Sequence, residues 1–291
     1  MNALDSLGLP WASIRLGEVE PAAVAGYERW LAEGRQGEMH YLEKYPAIRR
    51  DPRELLPGAR SLVAVAFPYF TEERIPLKIS LYARGRDYHE VVRERLEAVA
   101  AELSPEPGSW RVCVDTAPLR ERYWAARAGL GFIGRNNQLI VPGWGSYVFL
   151  GFILTSRELP ERRFCAEGLG CGDCRRCFQA CPGRALEADG GAMDARKCLS
   201  YLTIEYRGEF PEGTKLPTLY GCDVCQQVCP FNRGVPATPI ADFRPAPGLA
   251  TLTPAALAAM TPETFRALFS HSAIRRAKLP ALLRNLSALR P

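Results

Sequence analysis

The cysteine pattern between residues 165 and 229 constrains the fold of this 291-residue chain more than any other feature. Its first part has the spacing C-x2-C-x2-C-x3-C-P, which is typical of bacterial ferredoxins that hold two iron–sulfur cubes. Three thiolates of such a run bind one cube and the fourth reaches the other. These four cysteines are Cys171, Cys174, Cys177 and Cys181. We therefore expect two 4Fe-4S clusters.

A second, incomplete run follows downstream, and Cys198 stands alone between the two runs. The second run lacks its middle cysteine, and Cys198 supplies the missing thiolate. One cluster is assigned to Cys171, Cys174, Cys177 and Cys229, and the other to Cys181, Cys198, Cys222 and Cys225. This scheme uses eight of the ten cysteines and leaves out Cys113 and Cys165. Cys113 lies in an apolar run, so we expect it to be a small core residue.

Two alternatives use the same cysteines. Pairs of the form C-x2-C also bind zinc. Three cysteines at a spacing of three, followed by C-P and repeated in incomplete form, suit zinc poorly, so we favour the clusters. Disulfides are disfavoured because we expect the protein to stay in the reducing cytoplasm. Residues 1–7 lack the features of a signal peptide, and no apolar run is long enough to span a membrane.

The formal net charge of +5 is concentrated near the C-terminus. From Thr264 onward there is no acidic residue, whereas there are six basic residues, which are Arg266, Arg275, Arg276, Lys278, Arg284 and Arg290. A basic terminus on a neutral body suits a polyanionic partner, although a solvated helix end would have the same composition. The spacing of Leu279, Leu282, Leu283 and Leu286 predicts an apolar helical stripe that anchors these cations.

Residues 1–160 have the pattern of an α/β domain. Short apolar runs predict strands at 61–67, 110–114, 139–141 and 147–154. Apolar periodicity predicts helices at 21–33 and 119–130, and a third that Asp87 caps and that ends near Leu103. The order β-α-β-α-β-β indicates an α/β sheet. We expect a ferredoxin-like domain over 161–240 and a basic helical segment over 241–291 that packs back on the core.

Two local motifs need interpretation. Gly129, Gly131 and Gly134 fit G-x-G-x-x-G, but they follow a predicted helix and precede a strand, the reverse of a dinucleotide-binding turn. We interpret them as a turn. Asp115 follows the strand 110–114 and is either the N-cap of the next helix or a site residue. Open α/β sheets bind ligands at the carboxyl ends of their strands, which favours the second interpretation.

Several segments together resemble the epoxyqueuosine reductase family. They are Asp115-Thr116-Ala117-Pro118 with Arg122, the 128–132 turn, Gly145-Ser146-Tyr147, the cysteine run 171–177, and the segments 198–205 and 219–226. The resemblance covers nearly the whole chain. It implies a cobalamin-dependent enzyme that reduces epoxyqueuosine to queuosine in the tRNA anticodon, the final step of queuosine biosynthesis. It also implies a cobalamin-binding α/β domain, similar to that of reductive dehalogenases, joined to a ferredoxin-like domain with two clusters.

The resemblance implies roles for particular residues. Opening an epoxide to an alkene and water takes two electrons and two protons, so a proton donor must lie beside the cobalt. We assign this role to Asp115, whose pKa burial would have to raise toward neutrality. Tyr88 and Arg122 are weaker candidates for orienting the substrate. The cobalamin contacts implied are Tyr88, Asp115, Leu139, Leu150, Ser200, Cys222 and Asp223.

The expected partners are tRNA and a low-potential electron donor similar to flavodoxin or ferredoxin, with no membrane and with the chain acting as a monomer. The tRNA contacts expected are Arg207, Arg275, Arg276 and Lys278, or else a region near Arg49 and Arg50. Many family members continue into a C-terminal helical-repeat domain, whereas this sequence stops at Pro291, so we expect tRNA to dock on less surface.

Two other functions remain open. A reductive dehalogenase-like enzyme would act on a small organohalide; it usually carries a twin-arginine export signal, and it would not need a basic terminus. A plain electron-transfer ferredoxin would need neither cobalamin nor the α/β domain.

Overall fold

The computed structural model describes residues 2–187 and 191–290. The strands are β1 Trp11–Arg15, β2 Ser61–Pro68, β3 Trp110–Cys113, β4 Phe132–Ile133, β5 Leu139–Ile140 and β6 Val148–Thr155. The helices before the cysteine runs are α1 Asn2–Asp5, α2 Pro21–Ala32, α3 Pro46–Arg50, α4 Tyr88–Leu103 and α5 Glu121–Arg127. Those that follow are α6 Arg176–Ala180, α7 Leu199–Ile204, α8 Val224–Gln227, α9 Pro247–Ala250, α10 Pro254–Ala258, α11 Pro262–Leu268 and α12 Lys278–Ser287. Within the described ranges, no helix has the length and apolar character needed to cross a membrane.

A four-stranded sheet with the order β1-β2-β6-β3 forms the centre of the N-terminal half. Each neighbouring pair is antiparallel, and β2 and β6 pair over eight residues, with Val63 opposite Ile153. Both of these side chains are fully buried, and each contributes about 1.5–3 kcal/mol relative to an exposed position. The mixed α/β class is therefore confirmed, with the strands of this sheet running antiparallel.

Helices cover both faces of this sheet, which explains the uninterrupted apolar sequence of β2. Its odd-numbered positions from Val63 to Phe67 pack in the core with α1 and α4. Its even-numbered positions from Leu62 to Ala66 pack in a second core with α5. A strand with one solvated face would alternate between apolar and polar residues, whereas one covered on both faces does not.

The first turn of helix α4 carries Tyr88 and His89. Asp87 is the predicted cap, and its carboxylate accepts a hydrogen bond from the backbone N–H of His89 at 3.0 Å. Val92 and Leu96 are fully buried against the sheet. Because the buried stripe fixes the rotation of the helix, its N-terminal turn presents Tyr88 and His89 beside the end of β3.

The second half of the α/β region departs from the prediction in detail. Strand β1 was not predicted, and α5 is shorter at both ends than the predicted helix 119–130. Strand β5 pairs with β4 in a separate hairpin rather than joining the main sheet. The glycine motif is the turn between α5 and this hairpin, which confirms that it is no dinucleotide fingerprint. A Cβ on Gly131 would lie 2.3 Å from the carbonyl oxygen of Ile140, so the hairpin requires glycine there.

The C-terminal helices pack on the cysteine region through a third core. Leu279 and Leu282 of α12 are buried there, with Leu283 and Leu286 packed partly against them, so the predicted stripe is confirmed. Asn285 on the same helix is fully buried. Its side-chain amide donates to the carbonyl oxygens of Thr203 and Leu219 at 2.8 and 3.0 Å. These bonds satisfy the buried amide and tie α12 to the segments between the cysteines.

Candidate active site

One of the two expected ligand sets surrounds a small cavity beside the β4–β5 hairpin. Its lining includes Cys171, Cys174, Cys177 and Cys229. Cys177 interacts electrostatically with Cys171 and Cys229, and Cys229 interacts with Cys174. The backbone N–H of Arg135 donates to the Sγ of Cys171 at 3.4 Å, which ties the β4–β5 hairpin to this group of cysteines. We call these four cysteines the outer set.

The other four cysteines line a larger cavity. They are Cys181, Cys198, Cys222 and Cys225. Cys222 interacts electrostatically with Cys198 and Cys181, and Cys225 interacts with all three. Cys198 reaches this group from the position immediately before α7. We call these four cysteines the inner set.

The two sets fit iron–sulfur clusters better than single zinc ions. Among the residues described, no group of three or more His, Cys, Asp or Glu side chains could hold a single metal ion. A cube distributes four thiolates over four irons, so its ligands stand farther apart than those of tetrahedral zinc. None of the ten cysteines forms a disulfide. Cys113 is 1% exposed within an apolar core and belongs to neither set.

The two sets are neighbours, but only one of them faces the larger cavity. Cys177 of the outer set interacts electrostatically with Cys225 of the inner set. The larger cavity has a volume of about 420 Å³ and lies between the inner set and the end of β3. A volume of this size is typical of small-molecule and cofactor sites. The arrangement therefore runs from the outer set to the inner set and then to the cavity.

Asp115 is held at the wall of this cavity in a strained backbone conformation. Its φ of 52° lies in the left-handed region, which non-glycine residues adopt at a cost of about 1–3 kcal/mol. The hydroxyl of Tyr88 donates to Oδ2 of Asp115 at 2.9 Å, and Nε2 of His89 lies 3.1 Å from the same oxygen. Helix α5 begins at Glu121 with Arg120 in the capping position, so Asp115 is not its N-cap.

The electrostatics of Asp115 differ from the expectation that burial would raise its pKa. Burial acts in that direction, but hydrogen bonds from His89 and Tyr88 and the charge of Arg122 outweigh it and lower the pKa below its ordinary value. The side chain is 58% exposed, and this exposed surface faces the cavity. The expectation is therefore wrong, and Asp115 is a carboxylate at neutral pH.

The proton resides on the neighbouring histidine. Burial lowers the pKa of His89, but hydrogen bonds to Asp115 and Asp87 raise it overall, to about 9. Its Nδ1 lies 2.7 Å from Oδ1 of Asp87. A protonated imidazole donates from both nitrogens, so at neutral pH His89 is a cation between two carboxylates.

A second carboxyl group beside Asp115 has the opposite character. Burial and the negative charge of Asp115 raise the pKa of Glu121 well above its ordinary value. One oxygen of Glu121 accepts a hydrogen bond from the backbone N–H of Asp115 at 2.5 Å, which supports the strained turn. Burial lowers the pKa of Arg122, and the charges of Glu121 and Asp115 oppose this effect. The cavity wall thus combines the ionised carboxylate of Asp115, the carboxyl group of Glu121 with its raised pKa, and the guanidinium of Arg122.

Polar side chains join the α/β region to the inner set at another part of the wall. The amide of Gln226 donates to the carbonyl oxygen of Ser146 at 2.9 Å, and the backbone N–H of Ser146 donates to Asn232 at 2.6 Å. The acceptor in the second bond is Oδ1 of Asn232. A Cβ on Gly145 would lie 2.0 Å from this atom, so only glycine lets the backbone approach Asn232 this closely. By contrast, Nδ2 of Asn136 is buried at the wall with no hydrogen-bond partner among the described residues. An unpaired buried amide costs about 1–3 kcal/mol, so it favours a bound acceptor.

Six of the seven residues that the resemblance assigned to cobalamin line the larger cavity, namely Tyr88, Asp115, Leu139, Leu150, Ser200 and Cys222. Asp223 does not, because its carboxylate turns away from the cavity. It accepts hydrogen bonds from the hydroxyl of Ser80 and, at 2.8 Å, from the backbone N–H of Leu81. Asp223 therefore holds the turn that carries Ser80, and Ser80 itself lines the cavity.

Sequence reasoning missed three residues of the cavity wall and the histidine that contacts Asp115. His89, Glu121, Asn136 and Gln226 were not singled out. The signal for His89 was available, since it is one of only three histidines in the chain and follows Tyr88 directly. The pairing of Glu121 with the backbone of Asp115 depends on the turn between β3 and α5, which no sequence period reveals.

A basic and aromatic pair lies near Asp115. The guanidinium of Arg276 stands over the ring of Tyr41 at 5.3 Å from its centroid. Two hydrogen bonds of 3.0 Å join the same guanidinium to Glu205. Both Arg276 and Tyr41 interact electrostatically with Asp115. Tyr41 is 43% exposed, so the pair forms an accessible surface close to the cavity.

The other expected tRNA contacts have different surroundings. Arg207 donates to the carbonyl oxygens of Ala277 and Arg276 at 3.1 and 3.0 Å, so it holds the backbone of the basic segment. Arg275 is exposed and interacts with Asp87. Lys278 is exposed at a φ of 64°. Two of these side chains, Arg275 and Lys278, are accessible to a partner, whereas Arg207 is engaged within the chain.

Comparison with protein families gives two matches. A family model described as "Epoxyqueuosine reductase QueG, DUF1730" matches residues 49–116. A second, described as "4Fe-4S double cluster binding domain", matches residues 170–232. All eight assigned cysteines lie within the second match. The chain therefore contains a domain for two 4Fe-4S clusters.

Individual proteins match over most of their length. An epoxyqueuosine reductase from Cellulophaga algicola is 36% identical over 271 residues, which are 90% of this chain and 88% of the relative. The structure of epoxyqueuosine reductase from Streptococcus thermophilus has a TM-score of 0.86 and 29% identity, covering 98% of this chain and 78% of that one. An epoxyqueuosine reductase solved with a tRNA-Tyr epoxyqueuosine-modified stem loop has a TM-score of 0.83 and 28% identity, with the same coverage.

Proposed function

Because the chain belongs to the epoxyqueuosine reductase family, we propose that it reduces epoxyqueuosine in tRNA to queuosine, the final step of queuosine biosynthesis. The reaction converts an epoxide to an alkene and one water, and it consumes two electrons and two protons. One observation carries the proposal: Asp115 and the inner cysteine set line the same cavity. An outlet for electrons and a site for proton transfer therefore face one volume.

The cofactor proposed for this cavity is cobalamin. When bound, it would supply a cobalt centre that accepts single electrons and delivers them to the carbon–oxygen bond. Leu139 and Leu150 offer apolar surface, and Ser200 and Tyr88 offer hydroxyls on the cavity wall. The unpaired amide of Asn136 supports the assignment, because the amide-rich edge of a corrin provides acceptors for it.

The proton-transfer site is Asp115, with His89 as the store of the proton. Tyr88 and His89 both bond to Oδ2 of Asp115, and among the described residues Oδ1 has no hydrogen-bond partner. In our mechanism, His89 transfers its proton from Nε2 to Asp115, which passes it to the substrate oxygen. Asp87 holds the imidazole at Nδ1. General acid catalysis of this kind contributes typically 10²–10⁴-fold.

The electrons enter at the outer set and leave from the inner set. The electrostatic interaction between Cys177 and Cys225 places the two sets close together and supports exchange between the two clusters. Under this proposal, residues 1–160 hold the reacting groups and residues 161–240 conduct electrons to them. Residues 241–291 complete the surface near Asp115 through Arg276.

The proposed substrate surface lies around Tyr41 and Arg276. RNA-binding proteins recognise single-stranded loops by stacking bases on aromatic rings and by contacting phosphates with cations. Tyr41 and Tyr45 are 43% and 59% exposed, which is unusual for large aromatic residues. Arg275 and Lys278 add positive charge to the same segment as Arg276. We propose that the modified base leaves the anticodon loop here and enters the cavity.

The test is an anaerobic assay on a stem loop that carries epoxyqueuosine. The protein is reconstituted with iron, sulfide and cobalamin, supplied with a chemical reductant, and the nucleoside is analysed by mass spectrometry. We expect loss of one oxygen atom, and no loss when cobalamin is omitted. A fully loaded protein that binds the stem loop and leaves the epoxide intact would contradict the proposed function.

A further inference from the structure

The surface next to the outer cysteine set is unusually apolar. Among the described residues, five large hydrophobic side chains are exposed, and two of them lie in the chain segments that carry the outer cysteines: Leu169 and Phe231, at 44% and 40%. Leu169 precedes Cys171 by two positions, and Phe231 follows Cys229 by two. Phe231 also packs against the ring of Phe132 on the β4–β5 hairpin, with centroids 5.2 Å apart. Phe231 itself lines the small cavity, so its exposed ring lies directly beside the outer set.

The same surface is positively charged. Arg175 and Arg176 are exposed at the start of α6, directly after Cys174, and Arg176 also lines the small cavity. Neither guanidinium forms an ion pair within the described part of the chain. The only acidic residue between positions 169 and 176 is Asp173. The charges of both arginines are therefore available to a partner.

We propose that this surface, defined by Leu169, Arg175, Arg176 and Phe231 and called the entry surface, docks an acidic one-electron carrier protein. The inference rests on the proposed function, which gives the clusters an electron to carry. The inner set faces the substrate cavity, so electrons must reach it through the outer set. The entry surface is the exposed part of the chain around that outer set.

The composition of the entry surface selects this kind of partner. An apolar centre that loses water on contact, rimmed by charge of one sign, is suited to a brief and specific encounter. Arginines at the rim attract a negatively charged protein and raise its rate of association, and salt screens the effect. Each encounter oxidises one carrier by one electron and reduces the outer cluster by one. Two encounters supply the two electrons that the epoxide consumes with two protons.

The experiment reverses the charge of the rim and compares two reductants. The variant carries Arg175→Glu and Arg176→Glu, and the control carries Arg60→Glu and Arg74→Glu, a matched charge change at exposed residues that line neither cavity. Reduced flavodoxin is the protein donor, and dithionite with methyl viologen is the small donor. The rate of cluster reduction is followed by loss of cluster absorbance, and turnover is measured in parallel.

We expect flavodoxin to reduce the variant's clusters about 10- to 100-fold more slowly than the parent's at low salt. Dithionite with methyl viologen should reduce both at the same rate, and the control should match the parent. The dependence of the flavodoxin rate on salt should flatten in the variant. Because cluster reduction is read directly, this result can be obtained even if no queuosine forms, which separates the inference from the proposed function.

Four outcomes would overturn the proposal. An unchanged rate with flavodoxin would show that the carrier docks elsewhere. An equal loss with both donors would show that the arginines serve the cluster itself. A loss of stem-loop binding would identify an RNA surface, and a changed oligomeric state would identify a contact between copies of this chain.

Discussion

Nε2 of His89 lies 3.1 Å from Oδ2 of Asp115, and in our proposal the pair divides the tasks of proton storage and proton delivery between two side chains. Asp115 faces the cavity but is ionised, because its hydrogen bonds lower its pKa. His89 has its pKa raised to about 9 and so keeps a proton at neutral pH. A carboxylate backed by a cationic imidazole can be protonated again after each transfer. The pair therefore provides acid chemistry at a pH where a lone carboxyl group would not.

Replacing Asp115 should separate catalysis from cofactor binding. We expect Asp115→Asn to keep both clusters and the stem loop but to lower turnover by about 10²–10⁴-fold, because the amide preserves shape and cannot relay a proton. Turnover, iron content and stem-loop binding are measured together. Asp242→Asn, at a carboxylate that lines neither cavity, is the control. Near-normal turnover in Asp115→Asn would remove Asp115 from the mechanism.

Replacing His89 should change the pH dependence of turnover. His89 is protonated below its pKa of about 9, so the parent's rate should hold through neutral pH and fall as pH rises through that value. His89→Gln should lower the neutral rate about 10-fold or more and remove this alkaline fall. His271→Gln replaces a histidine that is also paired with a carboxylate, Glu90, and should leave the profile intact. The assignment fails if His89→Gln retains the parent's alkaline limb.

The same histidine should affect stability with pH. Its pKa is raised from 6.5 in the unfolded chain to about 9 in the folded protein. A group whose pKa is raised by folding contributes stability that is fully present below its pKa in the unfolded chain. This stability is lost as pH rises through its pKa in the folded protein. The free energy of unfolding, measured by urea denaturation, should therefore fall between these pH values more steeply in the parent than in His89→Gln. Parallel curves for the two proteins would argue against the paired, charged histidine.

The cysteine sets make a prediction about metal content. Anaerobically prepared protein should hold about eight irons with matching sulfide. Cys198→Ala should lose roughly half of the iron, because Cys198 belongs to the inner set. Cys113→Ala should lose none, because Cys113 is a core residue. Iron and sulfide assays measure this directly, and zinc without sulfide in the parent would refute the cluster assignment.

The basic segment makes a prediction about RNA affinity. Replacing Arg275, Arg276 and Lys278 together by Ala should weaken stem-loop binding and reduce its salt slope by up to about two units. Cluster content should not change. Arg266→Ala is the control, since Arg266 belongs to the same basic terminus but pairs with Glu263 on the surface. If the triple variant binds like the parent across a salt series, the RNA contact lies elsewhere, for example near Arg49 and Arg50.

The sequence predicted those features that depend on local spacing. The cysteine intervals identified a double-cluster domain, and the apolar runs located β2 and β6, because a strand covered on both faces has an unmistakable composition. Contacts between residues that are distant in the sequence could not be predicted from it. Whether Asp115 is acidic or ionised depends on His89, which lies 26 positions away and meets it only when α4 packs on the sheet. Likewise, Asp223 faces Ser80 rather than the cavity because of a turn 142 to 143 residues distant.

The most direct test of the account is a single turnover with counted electrons. The loaded protein is reduced anaerobically, freed of excess reductant and mixed with epoxyqueuosine stem loop, while cluster oxidation and queuosine formation are measured together. We predict one queuosine for every two electrons lost from the protein, with Asp115→Asn forming it about 10²–10⁴-fold more slowly under the same conditions. Clusters that reoxidise without loss of oxygen from the nucleoside, or product that forms without their oxidation, would contradict the account.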